Sequence, residues 1–154
     1  MKIIAIASQK GGSGKSTISI HLGTLASEKG IPTLIADMDE HSQTTTEWGK
    51  SREKTTPIVA KVPLDKLLAM LKQAREKGIM LVIIDLPPYV DRFVQEVTKK
   101  ADLTIVPTRP FFPDMRTLPR VLKQIHPPYY VLFNACPVGK NGMEGSKTLE
   151  ARKI

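Results

Sequence analysis

At 154 residues the chain has the length of one domain with room for a buried core, and 41% hydrophobic with 25% charged residues is ordinary for a globular protein. A single cysteine, Cys136, excludes an internal disulfide framework and argues against a cluster held by paired cysteines. The longest apolar runs are strand-sized and Met1-Lys2 leads straight into a strand, so neither a membrane span nor a signal peptide is expected and the cytoplasm is the expected compartment. Net charge is +8 with a pI near 9.7, and from Arg109 onward eight Lys/Arg stand against three Asp/Glu. Such a balance favours DNA, RNA or an anionic surface as partner, or reflects only a basic solvated face; charge alone does not separate these.

Lys2 to Ala7 is a continuous apolar run, expected as a strand buried on both faces. It feeds Lys10-Gly11-Gly12-Ser13-Gly14-Lys15-Ser16-Thr17, and Ser16 to Lys29 follows with helical spacing of Ile18, Leu22 and Leu25 before Gly30. Strand, glycine-rich turn and helix in that order make a phosphate-binding loop. The strict pattern is missed at one position, with Ser8 read as standing where the first glycine belongs. The backbone N–H groups of Gly11, Gly12, Ser13, Gly14 and Thr17 would cradle an anion at the helix N-terminus. Lys15 would reach the β- and γ-phosphates of a nucleotide and the Ser16 hydroxyl would ligate Mg²⁺. A solvated turn with a surface lysine is the plainer alternative.

Pro32 to Ala36 is the second strand and ends in Asp37-Met38-Asp39, which makes a βαβ unit with parallel strands and carboxylates at the ligand-binding end. Thr44 to Gly49 reads as a short helix, Ser51 to Thr56 as a surface loop and Pro57 to Ala60 as an edge strand. Asp65 to Lys77 places Leu67, Leu68, Leu71 and Ala74 on one helical face, closed by Gly78. Met80 to Ile84 is apolar and ends in Asp85, the pattern of a carboxylate that accepts hydrogen bonds from Mg²⁺-bound water. Then follow a helix over Asp91 to Lys100, a strand over Leu103 to Val106, a helix over Leu118 to Ile125 and a strand over Tyr129 to Phe133. Asn134 follows that strand; a polar loop covers 138–145 and a short helix is expected from Lys147 to the end. His21 and His41 read as packing or surface residues.

The run K-G-G-x-G-K-[ST] resembles the deviant Walker A motif of the ParA/MinD family of ATPases, and the resemblance covers nearly the whole chain. It implies a three-layer α/β/α P-loop NTPase fold, one domain over 1–154, with a mainly parallel, twisted central sheet. It assigns Lys10 to the phosphates of the partner subunit in an ATP-dependent, nucleotide-sandwich homodimer. Asp37 and Asp39 resemble the family's D-x-D pair, the first holding the water shell of Mg²⁺ and the second orienting the attacking water. Asp85-Leu86-Pro87-Pro88 matches the family's D-x-P-P, and Asn134 resembles its adenine-contacting residue, though asparagine also favours turns. Pro110 to Asp114 matches a P-x-x-x-D loop, where Asp114 serves either the dimer interface or a helix cap. Thr44 to Gly49 resembles the tryptophan-bearing helix of small plasmid-type members.

Two departures stand out. Asp39-Glu40-His41-Ser42-Gln43 replaces D-P-Q with an extra residue, and Tyr89 stands where a glycine follows the prolines. Members usually continue with another strand and helices, so a natural short form, a fragment and a decayed reading frame all remain open. The resemblance implies ATP and Mg²⁺ as ligands, nonspecific DNA and a centromere-binding, ParB-type protein as partners, no membrane attachment, and DNA partition as the role. The alternatives are a MinD-like regulator at a membrane surface, a small-molecule ligase or kinase, and an inactive nucleotide-binding remnant.

Overall fold

The computed structural model describes residues 1–89, 91–138, 145, 148, 151 and 152. Its elements are β1 (Lys2–Ile6), α1 (Lys15–Glu28), β2 (Thr33–Asp37), α2 (Thr44–Ser51), β3 (Ile58–Lys61), α3 (Leu67–Glu76), β4 (Leu81–Asp85), α4 (Arg92–Lys100), β5 (Leu103–Thr108), α5 (Phe112–Gln124) and β6 (Tyr129–Phe133). A 3-10 turn over Leu64–Lys66 leads into α3. The strands form one sheet in the order β3-β2-β4-β1-β5-β6, and every pairing is parallel. Parallel neighbours need crossovers, and the helices supply them on both faces.

Side-chain alternation sorts the layers. Ile3, Ala5, Leu34, Ala36, Val82 and Ile84 face α3 and α4 through Leu67, Ala74, Val94 and Val97. Ile6, Ile35 and Ile83 face the opposite way, toward Ile18 and Leu22 of α1 and Trp48 of α2. Ile105 pairs with Ile6 and shares that second face, so Val106 turns to the first, where it packs on Met115, Leu118 and Val121 of α5. The result is a three-layer α/β/α P-loop NTPase-like fold with an all-parallel sheet, as the motifs imply. Among the described residues no helix is long and apolar enough to cross a membrane.

Several local expectations need correction. Leu25 is 51% exposed; Ile18 and Leu22 pack on the sheet as expected, but the most deeply buried line of α1 is Ser19, Gly23 and Ala26. A Cβ on Gly23 would sit 2.6 Å from Ile35 Cδ1, so α1 approaches too closely for large side chains on its inner line. Leu68 is 62% exposed, because α3 buries the Leu67–Leu71–Ala74 line and Leu68 lies off it. α5 begins at Phe112, six residues before Leu118, since Pro113 occupies its first turn, where no N–H is needed. β5 runs through Pro107 to Thr108. Bonds from Thr104 and to Thr108 go to the β6 side, so Pro107 faces β1, whose pairing has already stopped at Ile105. Of the expected loop over 138–145 and final helix, most residues lie outside the described ones; Thr148 and Ala151 are buried, and Arg152 N–H donates to Thr148 O.

Ile83 is fully buried in a central strand between two neighbours. Ile83→Ala should cost about 2–5 kcal/mol in urea unfolding, and a loss under 1 kcal/mol would mean α1 does not close on this face.

Candidate functional site: a phosphate cradle at the carboxyl end of the sheet

The loop between β1 and α1 is shaped by backbone conformations that favour glycine. Gly12 has φ +71 and Gly14 has φ +97, the latter acting as N-cap of α1. No side chain caps that helix end, which leaves its first N–H groups turned toward the cleft. Counting back from Gly14-Lys15 puts the motif's first glycine at Gln9, not Ser8. Ser8 has a different part: its buried hydroxyl pairs with Ser13 Oγ at 2.7 Å and donates to Lys10 O at 3.0 Å, pinning the loop from inside. On the far side, Asn134 Nδ2 donates to Ser13 O at 2.9 Å. A Cβ at Gly14 would lie 2.1 Å from that nitrogen. Asn134 therefore meets the loop backbone in this structure.

Gly11, Gly12, Gly14, Lys15, Ser16 and Thr17 line one cleft, which Asp39, two residues past the end of β2, borders. Lys15 is only 7% exposed; burial lowers its pKa, and Asp85 and Asp39 oppose that shift. Among the described residues it makes no ion pair, so a buried cation faces the cleft. Lys10 does not join it. Its Nζ lies 3.0 Å from Asp114 Oδ1, and Arg109 clamps the same carboxylate with Nε at 2.6 Å. Asp114 lies in the first turn of α5, whose N-cap is Phe111, so it anchors two cations and is not the cap residue.

The three sequence-marked carboxylates have different surroundings. Asp37, 1% exposed, accepts from Thr46 N and Thr46 Oγ1 at 2.8 Å each and from Asp39 N at 3.1 Å. Its oxygens thus hold the first turn of α2. Asp39 accepts from His41 N and Ser42 N at 3.1 Å and from Ser42 Oγ at 2.8 Å. Burial alone would raise its pKa, but the Ser42 and His41 bonds and Lys15 outweigh it and hold the carboxyl below its ordinary value. The extra residue in this segment folds into a turn around Asp39, while the exposed His41 contributes only its backbone N–H. Asp85, also 1% exposed, accepts from Thr45 Oγ1 at 2.6 Å, and its Oδ1 is buried with no hydrogen-bond partner among the described residues. Burial pushes this carboxyl up, and the Thr45 and Ser16 hydroxyls oppose the shift.

An orphaned carboxylate oxygen beside the Ser16 hydroxyl fits a hard cation held mostly through water. Among the described residues no three His, Cys, Asp or Glu side chains cluster to cage a metal, so Ser16 and Asp85 would hold Mg²⁺ only together with phosphate oxygens and water. Sequence reasoning missed Thr45, Thr46 and Ser42. Their signal was a run of hydroxyl residues directly after the second strand's carboxylates.

Two outcomes follow from this geometry. Gly14→Ala should weaken nucleotide binding and cost about 1–3 kcal/mol of stability. Adding Asn134→Ala should restore only part, because φ +97 remains strained; full restoration would show that the Asn134 clash was the whole effect. Asp85, protonated more readily folded than unfolded, makes the Mg²⁺-free protein less stable as pH rises from the ordinary carboxylate value of 3.8 through the raised one. Asp85→Asn should therefore gain on the parent at neutral pH, with the difference closing in acid; urea melts across pH would show it, and a constant difference would contradict it.

The whole arrangement has known counterparts. The sequence matches the CobQ/CobB/MinD/ParA nucleotide binding domain over residues 4–149. It is 35% identical over 112 residues to protein ParA of Rhizobium radiobacter, covering 71% of this chain and 50% of that protein. The chain thus spans half the length of that relative. Among solved structures, an ATP complex of a Cyanothece McdA variant superposes with TM-score 0.78 at 20% identity, over 99% of this chain and 77% of the other. A plasmid partition protein of Borrelia burgdorferi gives 0.74 at 21%, over 99% and 87%. MinD of Aquifex aeolicus gives 0.68 at 19%, over 87% and 69%. With the motifs, the parallel sheet and the cradle in place, the chain belongs to the CobQ/CobB/MinD/ParA family of nucleotide-binding domains.

Proposed function

We propose that the chain is one P-loop domain that binds Mg²⁺-ATP in the cytoplasm, forms a nucleotide-sandwich homodimer and hydrolyses ATP slowly. In this reading it acts in DNA partition, with nonspecific DNA and a centromere-binding, ParB-type protein as partners. The carrying observation is the buried, unpaired Lys15 at the mouth of an uncapped helix, facing the same cleft as Asp39. The likeness to ParA supports the partition role.

Positioning and charge do the chemical work. Lys15 and the loop N–H groups neutralise the β- and γ-phosphate oxygens. Ser16 and Asp85 would hold Mg²⁺, which when bound supplies a fixed positive charge across those phosphates. Asp39 stays ionised and accepts a hydrogen bond from water, orienting it toward the γ-phosphorus. Lys10 exchanges Asp114 for the partner subunit's phosphates when the dimer forms, and Asp114 keeps Arg109 as counter-ion. A second reading, nucleotide binding without turnover, draws support from Asp39 itself, whose oxygens are already engaged by His41 and Ser42.

Lys15→Ala should weaken Mg²⁺-ATP binding by about 100-fold in calorimetry, the loss of a charge-assisted contact of about 3 kcal/mol. Lys10→Ala should bind ATP as the parent does yet lose the ATP-dependent dimer in sedimentation. Unchanged affinity in the first variant would refute the cradle, and a persisting dimer in the second would refute the cross-subunit lysine.

A further inference from the structure

A second charged surface lies at the opposite edge of the sheet from α5 and β6. Between α2 and the edge strand β3 runs a groove lined by Lys50, Arg52, Lys54 and Lys61, with Glu53 as the one acidic residue on its wall. Its walls are held at a fixed distance. Gly49 of α2 lies so close to β3 that a Cβ there would be 2.9 Å from Val59 Cβ. Arg52 is structural: its guanidinium lies 4.3 Å from the Trp48 ring centroid and donates to Thr56 O and Pro57 O, bracing the loop that carries Lys54. Lys50, Lys54 and Lys61 are exposed, and among the described residues none makes an ion pair.

We propose that this groove binds the phosphate backbone of nucleic acid through Lys50, Lys54 and Lys61, a proposal that rests on the DNA part of the reading above. Three unpaired ammonium groups around a braced groove match a polyanion whose charges repeat along a line. The ammonium is a mobile point charge without the planar fork of arginine, which suits contacts to phosphate without base readout. An acidic peptide adding a strand to β3 is less well served. That strand has only four residues and ends in Lys61, the features by which sheet edges resist pairing. The other basic surface, Arg116 and Arg120 of α5 with Phe112 78% exposed, adjoins Gln9 on the phosphate-loop side, which the sandwich partner would cover. The groove lies beside the opposite edge strand of the sheet, β3.

The test is fluorescence anisotropy of a labelled random-sequence DNA duplex with Mg²⁺-ATP across a salt series. The parent would be compared with Lys50→Gln/Lys54→Gln/Lys61→Gln, each single variant, and Arg116→Gln/Arg120→Gln. Each lysine should take about one from the log–log salt slope, about three for the triple, with affinity down about tenfold or more for every sequence alike. Mg²⁺-ATP affinity in calorimetry should be unchanged. If the triple variant keeps the parental slope while the arginine variant loses binding, the groove assignment is overturned and the DNA reading survives. If the parent binds Mg²⁺-ATP but no duplex, the DNA reading itself falls and takes the groove with it. If poly-glutamate binds the parent, is lost in the triple variant, and duplex is not bound, the occupant is an acidic peptide and the proposal is wrong.

Discussion

Two carboxylates that water hardly reaches lie side by side in this sheet. The parallel register sets Asp37 opposite Asp85 on neighbouring strands, and each is 1% exposed. Such a pair is tolerable only if donors surround it, because like charges in a low-dielectric interior disfavour joint ionisation. The donors come from outside the sheet. Thr46 satisfies Asp37, Thr45 satisfies one oxygen of Asp85, and Ser16 lies against the same group. The position of α2 is thereby tied to the charge state of the strand ends, and one oxygen of Asp85 is left for a ligand to satisfy.

This tether joins the two surfaces assigned above. The first turn of α2 touches the carboxylates of the nucleotide cleft, while its last turn carries Lys50 toward the groove along β3. Thr45, which donates to one oxygen of Asp85, and Lys50, on the basic wall, stand five positions apart on this eight-residue helix.

Sequence reasoning read the central strands well, because strands buried on both faces are nearly continuous apolar runs. The cradle was legible for the same reason: glycine at positive φ and lysine at the helix start have few other uses in that order. Helix faces were less legible. The inner line of α1 is Ser19, Gly23 and Ala26, and close packing selects small residues that no hydrophobic pattern marks. The start of α5 was hidden because Pro110 to Asp114 matched a loop pattern, although a first helical turn accepts proline. The partners of Lys10 and Asn134 were invisible, because Asp114 and Ser13 lie far off in the sequence, where no local pattern records the pairing.

The bond from Asn134 to Ser13 spans 121 positions of sequence. The loop that follows β1 therefore receives a brace from a residue just beyond β6. During synthesis, β1 and the glycine run emerge first and wait without that brace until residue 134 has left the ribosome and β6 has docked on β5. Order in the loop would thus arrive late, with the docking of β6 rather than with the folding of β1.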